Sequence, residues 1–173
     1  SLISDAGTPL ISDPGEELVK KCIEENIPIY SIPGASAVLG SIVVSGIDNS
    51  SFTFLGFAPQ TNKLKEAFFE RIEYSKETIV FFESPKRLKK CLKNLIDHFP
   101  NRKIAIIREL TKKNEEIVRG IPKEVYFEFN SRESIKGEIT VIIECGSLDK
   151  KSIFNKEEII ALINLYKENK KDK

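Results

Sequence analysis

Twice in its first 46 residues, SLISDAGTPLISDPGEELVKKCIEENIPIYSIPGASAVLGSIVVSG, the chain runs from a short apolar stretch through a glycine turn into a helical pattern. Ala6-Gly7-Thr8-Pro9 follows Leu2-Ile3, and Pro33-Gly34-Ala35-Ser36 follows Ile29-Tyr30-Ser31-Ile32. Strand, turn and helix repeated in this way is the pattern of an α/β fold. It predicts that both turns lie at the carboxyl ends of neighbouring parallel strands, the edge where open α/β sheets bind small ligands. The chain starts without a methionine, inside an apolar run with no preceding cap or turn. That reading expects an amino-terminal piece to be missing.

The 173 residues are 40% hydrophobic, enough to bury the core of one large domain or two small ones. Lys and Arg number 27 against 26 Asp and Glu, a net charge of +1, so global charge does not announce a polyanionic partner. Basic residues cluster locally at Lys86-Arg87, Lys89-Lys90, Arg102-Lys103, Lys112-Lys113 and Lys170-Lys171. Cys22, Cys91 and Cys145 are widely separated within apolar patterns, which fits buried thiols in a reducing compartment rather than a disulfide or metal framework. No apolar run approaches the roughly eighteen residues that span a bilayer, and the chain reads as cytoplasmic.

Asp13-Pro14-Gly15-Glu16 is a helix-start signal, with Asp13 as cap and Glu16 as its box partner, and Leu18, Val19, Cys22 and Ile23 follow on one face. A second helix is predicted over 35–45, with Gly46 as its stop. The polar cluster Asp48-Asn49-Ser50-Ser51 then marks the best boundary in the chain. It separates a first unit, 1–50, from a second, 51–146, with 147–173 as a terminal helix and basic tail. In the second unit, 52–57, 78–82, 103–107 and 137–145 read as strands. Helices are predicted over 63–75 and 85–99, in a short stretch after Pro122, and over 156–170 with Asn155 as cap.

Polarity switches on abruptly at the ends of two strands. Glu83-Ser84-Pro85-Lys86-Arg87 follows Ile79-Val80-Phe81-Phe82, and Arg108-Glu109-Leu110-Thr111-Lys112 follows Ile104-Ala105-Ile106-Ile107. Ser84 as N-cap with Pro85 at the first helical position is a structural explanation for the former, and it can coexist with function. Two neighbouring strands ending in charge also suggest an anionic ligand, with Arg87, Arg108 and Lys112 as phosphate-binding candidates. Glu115-Glu116 is a poor acid/base dyad, because adjacent residues of a strand face opposite ways. His98 is the only histidine and reads as a helix-end residue, so neither a Ser/His/Asp triad nor a metal site is expected.

The motifs SDAGTPLISDPG, PGASA, FLGF, FFESPKRL, RELTK, EEIVRG and GEITVIIE occur in that order over residues 1–146. Together they resemble the small-subunit rRNA ribose 2′-O-methyltransferases of the tetrapyrrole-methylase superfamily. The resemblance implies two α/β domains with an S-adenosylmethionine cleft between them, and a cytidine of the decoding region as methyl acceptor. Carried over by motif, Ala6, Gly7, Thr8, Ile11, Ser36, Ala37, Glu83 and Leu110 stand at cofactor positions. The family's threonine-proline-isoleucine-glycine-asparagine loop and its glutamate-aspartate-threonine-arginine segment are not in this sequence. The first domain is therefore expected to be incomplete, and the chain alone to bind cofactor weakly or not at all. Lys86 also stands where histidine is common in the family.

Methyl transfer to a hydroxyl needs alignment above all, and some base for the proton. Position makes Glu83 and Glu109 the candidate bases, with Arg87, Arg108 and Lys112 toward RNA phosphates. The implied partners are small-subunit rRNA or the 30S subunit and a second copy of the chain. A sister methylase acting on a tetrapyrrole or a modified histidine, and a non-catalytic fragment that binds RNA or dimerises, are the competing readings.

Overall fold

The computed structural model describes residues 1–4 and 7–146. Its elements in chain order are α1 (Glu16–Glu24), α2 (Ala37–Ser45), β1 (Phe52–Phe57), α3 (Asn62–Glu73), β2 (Thr78–Glu83), α4 (Leu88–His98), β3 (Ile104–Arg108), β4 (Glu116–Gly120), α5 (Pro122–Asn130) and β5 (Ile139–Ile143). The strands form one mixed sheet in the order β1-β2-β5-β3-β4. β1, β2 and β3 run parallel to one another, while β5 and β4 run against them. The carboxyl ends of β1, β2 and β3 therefore share one sheet edge.

The central strands are apolar almost throughout, as strands covered on both faces must be. Side-chain alternation sends Ile79, Phe81, Ile104, Ile106, Val141 and Ile143 to one face, where they pack with Leu88, Leu92, Leu95 and Phe129 from α4 and α5 and Ile72 from α3. Val80, Ala105, Ile107 and Ile142 point the other way, against Val38 and Ile42 of α2. The α2 helix is thus seated on the sheet, opposite the α3–α4–α5 layer. Its last turn closes on Gly46, at φ +71°, a left-handed conformation that glycine adopts without a Cβ penalty. Arg119 of β4 donates to the carbonyls of Ser45 and Val44, satisfying acceptors that the helix end leaves open.

Several expectations need correction. No strand forms at Leu2-Ile3 or Ile29-Tyr30-Ser31-Ile32: Ile3 is 85% exposed and Tyr30 and Ile32 are each 84% exposed. A strand needs a neighbour for its N–H and C=O groups, and among the described residues neither segment has one. The β2 and β3 strands are not neighbours either, because β5 inserts between them and pairs with both. β4 is a fifth strand that the four expected ones did not include. Asp13 does not cap α1, which starts from Gly15 without a side-chain cap bond while Glu16 pairs forward with Lys20 at 2.6 Å. Ser84 does not cap α4, whose N-cap is Arg87, after a turn in which Arg87 N–H donates to the Ser84 carbonyl at 2.9 Å.

The predicted helix over 156–170 lies outside the described residues, as do Asp5 and Ala6. No described helix is long and apolar enough to cross a membrane.

Candidate functional site

The two glycine turns meet although their strands do not form. The Thr8 hydroxyl donates to the Ala35 carbonyl at 3.0 Å, tying the first loop to the second. Ser36 then caps α2, its hydroxyl accepting the Leu39 N–H at 3.3 Å, and Ala37 opens the helix. The first-turn N–H groups and the positive end of the helix dipole are presented beside these loops. Gly7 has φ +75°, and among the described residues no atom beyond its chain neighbours lies within 4 Å of where a Cβ would stand, so the described part of the loop is open on that side. Ile11 is half exposed. Leu110 reaches α2 from the end of β3, its Cδ2 2.9 Å from the place of a Cβ on Gly40. Thr8, Ser36, Ala37 and Leu110 are thus gathered around the amino half of α2, while Ala6 lies outside the described residues.

Backbone conformation singles out the same loops. Among the described residues, the non-glycine positions with left-handed φ are Leu10, Ser12, Asn26, Glu109 and Thr111. All but Asn26 belong to the loop after Gly7 or to the loop after β3. Such conformations persist only where surrounding contacts impose them, and they concentrate at functional sites.

The charged strand ends lie in one transverse row. Glu83 and Arg108 are both in register with Ile139 of β5, and Arg108 also with Glu116 of β4. Alternation turns Glu83 toward α4, away from α2. It is buried, its Oε1 accepting the Ser84 N–H at 2.6 Å and the Arg87 guanidinium at 2.7 Å, and the Cys91 thiol reaches it from α4. Burial raises the Glu83 pKa against the opposing effects of the Ser84 N–H and Arg87. Arg87 also donates to the Ala58 carbonyl at 3.0 Å, bridging the end of β2 to the residue after β1.

Arg108 is engaged by Glu116 at 2.8 Å and by the Lys136 carbonyl. Arg132 closes a bidentate grip on Glu116 with bonds of 2.8 and 2.6 Å, and those bonds, with help from Arg108, hold the carboxyl down to about 2. Glu109 accepts the Glu138 N–H at 2.9 Å, which is the main cause of its lowered pKa, and pairs with Lys112 at 3.1 Å. Lys112 also reaches Glu138 at 3.1 Å, and these two partners raise its pKa.

Sequence reasoning passed over Arg119, Arg132 and Glu138. Each acts on a residue far away in the chain or across a turn, so no local pattern marks them. Left-handed φ at Glu109 had no sequence signal either, since glutamate is not a residue that favours it.

The Tetrapyrrole (Corrin/Porphyrin) Methylases family model matches residues 2–125. The chain is 46% identical over 146 residues to the Ribosomal RNA small subunit methyltransferase I of Hydrogenobaculum sp., covering 83% of this chain and 62% of that protein. It is 42% identical over 144 residues to the protein of the same name from Halalkalibacterium halodurans, covering 83% of this chain and 50% of that one. The chain therefore spans about half to three-fifths of the length of these curated relatives. Among solved structures, the methyltransferase CobJ superposes with a TM-score of 0.60 at 16% identity, over 81% of this chain and 62% of that one. The Thermus thermophilus uroporphyrin-III C-methyl transferase complexed with S-adenyl homocysteine gives 0.53 at 15%, over 79% and 62%. Family match, relatives and shared fold agree: this chain belongs to the tetrapyrrole methylases.

Proposed function

We propose that this chain carries the carboxyl-terminal part of the first domain, with its two cofactor loops, and the second domain of an S-adenosylmethionine-dependent methyltransferase, acting on the ribose 2′-hydroxyl of a cytidine in small-subunit rRNA. The observation that carries the reading is the 46% identity, over 83% of the chain, to a protein named for methylation of that RNA. The gathered loops fit the cofactor: open ground at Gly7, the N–H groups of the α2 start, and Leu110 and Ile11 as apolar flanks. S-adenosylmethionine supplies, when bound, a methyl group on a positively charged sulfur.

The chain's own residues do the rest. Thr8 and Ser36 keep the two loops in register, and Gly7, Ile11 and Ala37 line them, with Ala6 assigned to the cofactor by the motif alone. Of the two candidate bases, geometry favours Glu109 over Glu83. Glu83 faces the α4 layer and holds Arg87, whereas Glu109 leads into Leu110, which rests on α2. Glu109 is ionised at neutral pH and can take the hydroxyl proton, and reach decides between candidate bases before pKa does. Arg87 and Arg108 serve best as supports for the loops, with Lys112 the most exposed of the three toward RNA phosphate. Work in the cytoplasm as a homodimer is part of the same reading, supported by the motif resemblance.

The test is transfer of labelled methyl from S-adenosylmethionine to 30S subunits, read after nuclease digestion. Label in 2′-O-methylcytidine is expected. Label on a base, in protein or in a tetrapyrrole would replace the substrate assignment.

A further inference from the structure

A second feature lies on the other face of the sheet, where α3 and α4 diverge beyond the carboxyl end of β2. They leave a shallow, solvent-open cleft with about 30 Å³ of enclosed space, lined by Pro59 and Phe68 together with Glu83 and Cys91. Lys65 of α3 and Lys90 and Asn94 of α4 line it as well. Lys65 and Asn94 are half-buried; none of the three side chains makes a hydrogen bond or close ion pair to a described residue, although the Lys65 charge acts at longer range on Glu83 and Cys91. The carboxylate in the cleft is already occupied, since Glu83 takes the Ser84 N–H and the Arg87 guanidinium. Glu83 and Arg87 cancel in charge, so the two ammonium groups leave the cleft with an excess of two positive charges.

We propose that this cleft binds a phosphate group through the ammonium groups of Lys65 and Lys90 and the side-chain amide of Asn94. Ammonium groups are donors only, and Asn contributes two more N–H bonds, so the complement is an anion rich in acceptors. A tetrahedral phosphate accepts from several directions at once, which suits donors arriving from two helices, and charge-assisted bonds of this kind are the strong ones. The apolar walls lower the local dielectric and strengthen the attraction. The site is separate from the loops around α2 and does not rest on the methyl-transfer reading. Its phosphate comes either from the phosphodiester backbone of an RNA crossing this edge or from a free phosphate or phosphomonoester.

The experiment uses the 173-residue chain, titrated with inorganic phosphate in one arm and with a single-stranded oligoribonucleotide over a series of salt concentrations in the other. In Lys65→Ala/Lys90→Ala, phosphate affinity is expected to fall roughly tenfold or more, the loss of two bonds to a charged group. The log–log salt slope for the oligoribonucleotide is expected to shrink by about 1.4, or about 0.7 for each phosphate contact removed. Lys65→Arg/Lys90→Arg keeps the charge and retains both. Unchanged thermal melting of the alanine variant shows that it still folds. A change in the oligoribonucleotide arm identifies a backbone phosphate, and a change in the phosphate arm alone identifies a free one. If wild type binds neither probe, or if the alanine variant binds both as wild type does, the proposal is overturned.

Discussion

At the scale of the residue, two glutamates at the same sheet edge have opposite environments and opposite expected roles. Burial raises the pKa of Glu83, and its carboxylate organises Arg87 and the Ser84 N–H, so Glu83→Gln should leave turnover nearly unchanged. The same change should cost about 1–3 kcal/mol in chemical denaturation, because the charged Arg87 loses its partner. Glu109→Gln should lower the methylation rate about 100-fold with little loss of stability, the usual scale of a lost base. Equal rates for wild type and Glu109→Gln would remove it from the chemistry. Glu116 gives the pH signature. Its pKa lies at about 2 in the fold against an ordinary 4.5, so its contribution to stability is full above 4.5 and is lost as pH falls from 4.5 through 2. Glu116→Gln should flatten the acid limb of melting temperature plotted against pH. Cys91 is 5% exposed and burial raises its pKa, so thiol reagents should modify it only on unfolding, after Cys22 and Cys145.

At the scale of the element, α2 is the piece on which the candidate cofactor site depends. It is held at three places: Ser36 at its start, Leu110 against Gly40 in its middle, and Arg119 on its last carbonyls. Arg119→Ala should cost about 1–2 kcal/mol, with two buried or half-buried acceptors left open, and should loosen the helix on the sheet. Amide exchange in α2 that rises more than in β2 and β5 is the expected result. Uniform exchange throughout the chain would show that α2 does not move as a unit. Gly40→Val should destabilise by about 1–3 kcal/mol through overpacking against Leu110, whereas the same change at Gly7, facing open space, should act through its left-handed φ alone.

At the scale of the molecule, one sheet separates two different faces. The α3–α4–α5 face is a conventional apolar core, closed by Phe81, Phe129 and the leucines of α4. Among the described residues the α2 face is covered by a single helix, whose outer side carries Leu39 at 56% and Val43 at 76% exposure, and the 27–32 segment adds Tyr30 and Ile32. Exposed apolar groups on this scale bind hydrophobic probes. An anilinonaphthalene dye should therefore fluoresce with the native chain at neutral pH, and Leu39→Ser/Val43→Ser should reduce the signal. A dark native chain would mean that these side chains are covered in solution.

What the sequence determined by itself is local. The β1 boundaries, the Gly46 stop, the helix after Pro122 and the apolar faces of α3 and α4 follow from propensity and periodicity within about a dozen residues. The motif order from SDAGTP to GEITVIIE was enough to point to the family. Tertiary structure decided everything that needs a distant partner. Whether Ile29-Tyr30-Ser31-Ile32 becomes a strand depends on a neighbour to pair with, and its own residues do not state that. The entry of β5 between β2 and β3, the turn of Glu83 toward α4 and the reach of Lys112 to Glu138 are settled by strand order and pleat. Hydrogen-bond ladders and ion pairs form between segments 25 or more residues apart as readily as between adjacent ones, so short-range pattern cannot specify them.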